Sequence, residues 1–142
     1  MTQPKLIAIE LTDDERKFML TALSEFGGTA SYSPFPIKIL RVSTDDEFDD
    51  LLIRLRRAIA RKEPLSELDW ARAQLLTEMC WASDMIGSGT EFWTSYHDDE
   101  AAPLMRSVQR KLGRYPLGTA LFPDNGGRRT YAETHSSAQE LS

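Results

Sequence analysis

The residues best suited to chemistry lie in the second half of the chain, on a stretch with helical spacing. Trp70, Gln74, Thr77, Trp81 and Asp84 follow one another at steps of four, three, four and three residues, which places them on one line of a helix. Tryptophan beside polar groups is typical of hot spots in protein interfaces. The line therefore predicts a protein-binding face or, where a neighbouring helix or the C-terminal tail covers both indoles, a part of the core.

Acidic and aromatic residues flank this line. Glu78 lies beside it, and Glu91 and Trp93 follow just beyond the predicted helix. Residues 65–100 contain one basic and eight acidic residues, in a chain that has 17 basic and 22 acidic residues and a formal net charge of -5. Because phosphate contacts need Lys and Arg, this segment disfavours nucleic-acid binding and favours a basic protein partner.

The groups available for acid-base or nucleophilic catalysis are few. One of the two histidines falls in the predicted C-terminal tail, which leaves His97. The single cysteine, Cys80, falls on an apolar helical face, where a buried thiol is a poor nucleophile. Paired carboxylates among Glu78, Asp84 and Glu91 would have to carry any catalysis. The alternative to a binding protein is thus a small enzyme or ligand-binding protein with a carboxylate-lined pocket near Glu78, Asp84 and His97.

Two further patterns contain residues of the types that bind phosphate or metal ions, but each lacks the neighbouring residues or the geometry that such a site needs. The glycine-rich run at residues 87–90 lacks the lysine and the preceding strand of a P-loop, and Glu91 beside it would repel phosphate. Residues 97–100 are one histidine and three acids, but helix N-termini attract acids without a metal, and consecutive side chains there are expected to diverge. The sequence therefore predicts no metal site and no cofactor.

Four amphipathic helices are expected to position these groups. Apolar spacing predicts helices at about residues 13–26, 45–62, 67–86 and 99–112. Thr12 and Thr44 open the first two with capping boxes, and Ser66 is the N-cap of the third. The fold class predicted is mainly α, a compact bundle of about four principal helices.

The third helix is expected to be central because it carries two apolar stripes. The main stripe comprises Leu68, Ala71, Leu75, Met79, Ala82 and Ile86. The second stripe comprises Ala73, Leu76 and Cys80. Gly87 and Gly89 are expected to end this helix.

The remaining segments predict little regular structure. Residues 6–11 and 37–42 are short and apolar, which predicts either a minor two-stranded β element or extended connectors that pack on the helices. No repeat indicates a second domain, so residues 1–123 are expected to form a single helical domain. Residues 124–142 are rich in turn formers and predict a flexible C-terminal tail.

These patterns favour a small binding protein over an enzyme. No apolar stretch reaches the length of a membrane span, residues 1–11 lack the features of a signal peptide, and a lone cysteine suits the cytoplasm. We therefore expect an acidic, helical, cytoplasmic protein that binds a basic protein, as an inhibitor, an immunity or antitoxin-like protein or an adaptor does, and neither nucleic acid nor membrane. A homodimer formed through the same face is a further alternative.

Overall fold

The computed structural model describes residues 4–128, except for the side chains of Thr29 and Tyr32. In this part of the chain four helices have seven or more residues, namely α1 (Asp13–Glu25), α2 (Asp45–Ala60), α3 (Glu67–Ala82) and α5 (Asp98–Leu112). Two shorter helices, α4 (Gly89–Phe92) and α6 (Leu117–Leu121), and three 3-10 turns (Thr29–Tyr32, Ile37–Leu40 and Asn125–Gly127) connect or follow them. The mainly α class with four principal helices is confirmed. None of the helices in residues 4–128 combines the length and the apolar character needed to cross a bilayer.

The helices begin where the capping residues predict. Thr12 Oγ1 accepts from Glu15 N at 3.1 Å and Glu15 Oε1 accepts from Thr12 N at 2.6 Å, which completes the capping box of α1. Thr44 Oγ1 caps α2 by accepting from Glu47 N at 3.1 Å, but the predicted capping box is incomplete because Glu47 Oε2 accepts from Ser43 N and not from Thr44 N. Ser66 caps α3 by accepting from Asp69 N. These bonds satisfy N-H groups that have no partner within the helix, so they depend on local sequence alone.

The minor two-stranded β element is confirmed, but residues 37–42 do not supply its second strand. Strand β1 (Leu6–Ile7) instead pairs antiparallel with β2 (Leu65–Ser66), with Leu6 opposite Ser66 and Ile7 opposite Leu65. The indole Nε1 of Trp70 donates to Ile7 O at 2.8 Å and holds β1 over the start of α3. Residues 37–40 form a 3-10 turn, so the connector interpretation applies there.

Helix α3 is central, since it contacts α1, α4, α5, α6 and β2. However, the stripe predicted to be its main buried face is only partly enclosed. Leu75 and Met79 are half-buried and Ala82 is exposed. The buried positions are Asp69, Trp70, Ala71, Ala73, Leu76, Thr77 and Cys80, which include the whole second stripe.

The physical reason lies in the length of the neighbouring helices. Helix α6 has five residues and leaves a crevice of about 130 Å³ beside Leu75 and Glu78. Helix α1 has 13 residues and can enclose a longer face. A helical wheel counts apolar residues, but it contains no information on which neighbour is long enough to cover them.

Helix α3 also ends four residues before the predicted position, at Ala82. The chain then turns back, and Ser88 N donates to Cys80 O at 3.2 Å. A Cβ atom added at Gly87 would lie 2.1 Å from Met79 O, which is too close for any side chain. Gly87 is therefore required for the close approach of this loop to α3, and it does not act as the helix stop.

The predicted C-terminal tail begins at residue 124. Residues 124–128 are exposed and include the last 3-10 turn. The rest of the predicted tail, residues 129–142, lies outside the described residues.

Candidate binding surface

The line of residues predicted on α3 is divided between the core and the surface. Trp70 is 2% exposed, and its only polar atom already donates to Ile7 O. Thr77 is fully buried and donates from Oγ1 to Ala73 O at 2.7 Å. Neither side chain presents surface to a partner, so for Trp70 and Thr77 the core alternative applies and not the binding face. Strand β1 covers Trp70, and the sequence pattern of α3 does not reveal that strand.

Gln74, Glu78 and Trp81 lie at the edge of the core. Glu78 Oε2 accepts from Gln109 Nε2 at 2.6 Å and from Gln74 Nε2 at 3.3 Å. This arrangement connects α3 to α5 across the bundle. Trp81 is half-buried and packs against the core. These three residues therefore have structural contacts of their own.

Asp84 and Glu91 are exposed, as a binding surface requires. Asp84 Oδ1 accepts a hydrogen bond from Thr90 N at 3.1 Å, and this contact lowers the pKa of the Asp84 carboxyl below its usual value. Asp84 thus stays ionised at neutral pH and fixes the start of α4. Glu91 lies on α4 itself.

Trp93 is the best placed of the predicted residues. Its side chain is 50% exposed, and its ring stacks on the imidazole of His97 with centroids 4.2 Å apart and planes 9° from parallel. An exposed indole held in this way has lost part of its rotamer freedom before any partner arrives. The sequence analysis did not identify this role of His97. Its spacing of four residues from Trp93 was the available signal.

Met85 is a second residue that the sequence analysis missed. Its side chain is 80% exposed, the highest value among the large apolar residues exposed in residues 4–128. The early end of α3 explains its position, because Met85 lies in the turn after that end and not in a helix. Serine and glycine at residues 83 and 87–89 were the sequence signal for this turn.

Eight exposed residues of segment 84–100 are apolar, aromatic or ionisable, and we call them together the acidic aromatic surface: Asp84, Met85, Glu91, Trp93, His97, Asp98, Asp99 and Glu100. Thr90, Thr94 and Ser95 are also exposed in this segment. Segment 84–100 contains five acidic residues and neither lysine nor arginine. The surface therefore combines two apolar side chains with a strongly negative surrounding.

The residues proposed for a carboxylate-lined pocket do not share contacts. Glu78 bonds to the two glutamines, Asp84 bonds to Thr90, and His97 stacks on Trp93. Within residues 4–128 no hydrogen bond or ion pair joins two of these three side chains. Burial raises the pKa of the Cys80 thiol to about 11, so the thiol stays protonated at neutral pH.

The start of α5 differs from expectation in one respect. Ligand atoms of His97, Asp99 and Glu100 all lie within 4.8 Å of one another, so the prediction that these side chains diverge is wrong. The three side chains are exposed and could hold a divalent cation. Acidic residues in the first turn also stabilise the helix dipole, which accounts for Asp99 and Glu100 without a metal.

Comparison of the chain with protein-family models, with curated proteins and with solved structures finds no match in any of the three.

Proposed function

We propose that this protein is a binding module that uses the acidic aromatic surface to bind a basic partner protein. The observation that carries the proposal is the exposed, stacked indole of Trp93 within a segment that has five acidic residues and no basic one. Tryptophan is enriched among the residues that dominate interface energies. Stacking on His97 reduces the side-chain entropy that binding would otherwise cost.

The carboxylates and the apolar side chains have different roles in this proposal. The carboxylates of the surface attract a basic partner over a distance and raise the rate of association. Trp93 and Met85 then make the contacts that exclude water and slow dissociation. An inhibitor, an immunity or antitoxin-like protein or an adaptor would each use such a surface. The same surface in two copies repels itself, which makes a homodimer through it the less favoured alternative.

The test is affinity capture from the cells in which the protein occurs, with wild type and Trp93→Ala as parallel baits. We expect basic proteins that are captured by wild type at low salt, released at high salt, and lost or reduced at least about tenfold with Trp93→Ala. Phe122→Ala is the matched control, because Phe122 is another exposed aromatic ring but lies at the end of α6, outside the surface. This control variant should capture the same proteins as wild type.

Purified partner and bait then separate the two roles. Asp84→Asn with Glu91→Gln should mainly slow association and weaken its salt dependence, whereas Trp93→Ala should mainly speed dissociation. Melting curves of each variant check that the fold is intact. The proposal fails if Trp93→Ala and Phe122→Ala behave alike in a folded state, or if the captured partners are not basic.

A further inference from the structure

A second region of the molecule has the character of a ligand site. A cleft of about 400 Å³ lies between the chain that follows β1 and the C-terminal end of α2. Its accessible apolar lining comes from Ala8 and the half-buried Ile9, and the buried Ile59 and Trp70 lie at its base. Two cations, Arg16 and Lys62, and two acids, Glu10 and Glu63, also line it. None of these residues belongs to the acidic aromatic surface.

Arg16 is a largely buried cation whose N-H groups are only partly paired. Its side chain is 12% exposed, yet its one ion-pair partner in residues 4–128, Asp13, is 95% exposed. Nη1 donates to that carboxylate at 3.2 Å, Nη2 donates to Leu11 O at 3.2 Å, and the buried Nε has no partner in the described part of the chain. Two hydrogen bonds leave most of the five N-H groups of a guanidinium unused. A buried charge is costly unless a counter-charge and hydrogen bonds accompany it.

Lys62 is a second cation at the cleft, and its backbone is unusual. It has φ 59°, in the left-handed region, at the position after α2 where glycine is the common residue. Lys62 N donates to Ile59 O and Glu63 N donates to Ala58 O, which is the hydrogen-bond pattern of a Schellman end. The ammonium group makes no hydrogen bond or ion pair with residues 4–128. Residue 62 is thus a lysine at a strained backbone position, and its ammonium group has no hydrogen bond or ion pair within the described part of the chain that would explain the strain.

The acids at the cleft narrow the class of ligand. Glu10 and Glu63 are exposed and have no ion-pair partner among residues 4–128. Their charges would repel a phosphate or another multiply charged anion. A ligand with one negative charge is repelled less by these two acids. It would place that charge next to Arg16 and Lys62, and an apolar group joined to it would contact Ala8 and Ile9.

We propose that this cleft binds an organic monocarboxylate with an apolar group, and that Arg16 and Lys62 hold its carboxylate. The carboxylate takes up N-H groups of Nη1 and Nη2 that Asp13 and Leu11 leave free, and it adds a second counter-charge to that of the exposed Asp13. Such a group occurs both in free carboxylic acids and at the C-terminus of a peptide. The chemistry is the same, so the two sources are separated by experiment.

The test is a titration of the 15N-labelled protein, followed by NMR, with 3-phenylpropionate and with the neutral 3-phenylpropionamide. We expect the acid to cause saturable shifts in the amides of residues 8–11 and in the Trp70 indole. The amide should bind at least about tenfold more weakly, because charge-assisted hydrogen bonds are lost. Equal binding of the two compounds, or no saturable shift with the acid, would overturn the proposal.

Three variants test the residues. Arg16→Gln and Lys62→Gly should each weaken the binding of 3-phenylpropionate about tenfold or more, as expected for a lost charged contact. Lys17→Gln is the matched control, since Lys17 is exposed on α1 and does not line the cleft. Lys62→Gly places the preferred residue at the strained position, so it should weaken binding while leaving the fold at least as stable. It therefore carries the test if Arg16→Gln does not fold. Unchanged affinity in both variants would contradict the proposal.

Two further probes distinguish a peptide C-terminus from a free carboxylic acid, and a monocarboxylate from phosphate. The peptide glycyl-glycyl-phenylalanine, with a free C-terminus, should bind more tightly than 3-phenylpropionate if the natural ligand is a chain end, and more weakly if it is a free acid. Its C-terminal amide should not bind in either case. Inorganic phosphate that binds more tightly than both carboxylates would refute the assignment to monocarboxylates.

Discussion

Glu15 and Arg16 are neighbouring ionisable residues on α1, the first buried and the second largely buried, but their surroundings differ. Glu15 is 2% exposed and accepts hydrogen bonds from Ser107 and from Lys111 Nζ, the latter at 2.5 Å. Both partners lie on α5, more than 90 residues away in sequence. Within residues 4–128, the partners of Arg16 are local, namely Asp13 and Leu11.

The difference distinguishes Glu15, whose charge makes contacts that stabilise the fold, from Arg16, whose charge remains available to a ligand. Burial by itself raises the pKa of Glu15, but the hydrogen bonds from Lys111, Ser107 and Thr12 outweigh it and bring the pKa from the usual 4.5 to about 2. Folding thus stabilises the ionised carboxylate. Arg16 has no comparable tertiary partner in the described chain, and it lies at a cleft. A tertiary counter-charge therefore indicates a structural role, and the lack of one beside a cleft favours a ligand.

The largest effect should follow from Glu15→Ala. The change removes the capping box of α1 and leaves Lys111 without its partner, so the free energy of unfolding should fall by about 3 kcal/mol. Urea denaturation measures this loss. Asp14→Asn, at an exposed position of the same turn, is the control and should cost less than about 0.5 kcal/mol. If both variants lost equally little, Glu15 would have no more structural importance than a surface acid.

The contribution of the Glu15 carboxylate should also appear in the pH dependence of the free energy of unfolding. Because the folded pKa of Glu15 lies below the unfolded value, its contribution is fully present above pH 4.5 and is lost as the pH falls towards 2. The loss should amount to about 3 kcal/mol for this group. Urea melts of wild type and Glu15→Gln between pH 6 and about 2.5 should therefore converge as the pH falls. A constant gap between the two curves would mean that the ionised form is not the stabilised one.

Arg16→Met should behave differently from the Glu15 variants. The change removes an incompletely paired buried charge and keeps an unbranched side chain, so the stability should change by no more than about 1 kcal/mol in either direction. Thermal or urea melts at neutral pH suffice. A loss above about 2 kcal/mol would place Arg16 with Glu15 as a structural charge, and the comparison would no longer hold.

The smallest effect should be that of Lys62→Gly, and its sign matters more than its size. Glycine adopts the left-handed conformation at residue 62 without strain, so the variant should gain up to about 1 kcal/mol. A shift of the melting temperature to a higher value is the measurement. A clear loss of stability would show that the lysine side chain supports the fold.

Local signals account for the parts of the fold that the sequence predicts well. The starts of α1, α2 and α3 depend on side chains within three residues of the cap, so Thr12, Thr44 and Ser66 are sufficient to place them. The exposure of Asp84, Glu91 and Trp93 also follows from a local feature, the polar, glycine-containing segment in which they lie. The burial of Ala73, Leu76 and Cys80 agrees with the second apolar stripe of α3.

The errors arise where a distant segment decides the outcome. Trp70 has the same sequence context whether or not β1 lies over it, and only the paired strand makes it a core residue. Leu75 lies on a strong apolar stripe, yet the short α6 leaves it half-buried. Periodicity measures which face of a helix is apolar, and burial depends on what that face meets.

The sequence by itself determined the helical class, the helix starts and the concentration of acid in residues 65–100, because each depends on neighbouring residues or on composition. Only the tertiary structure decided that Trp70 is buried, which of the charges on α1 has a distant partner, and where a cleft forms. These properties depend on contacts between residues far apart in the chain, such as Glu15 with Lys111 and Trp70 with Ile7. Such contacts leave no periodic signal in either of the segments that make them.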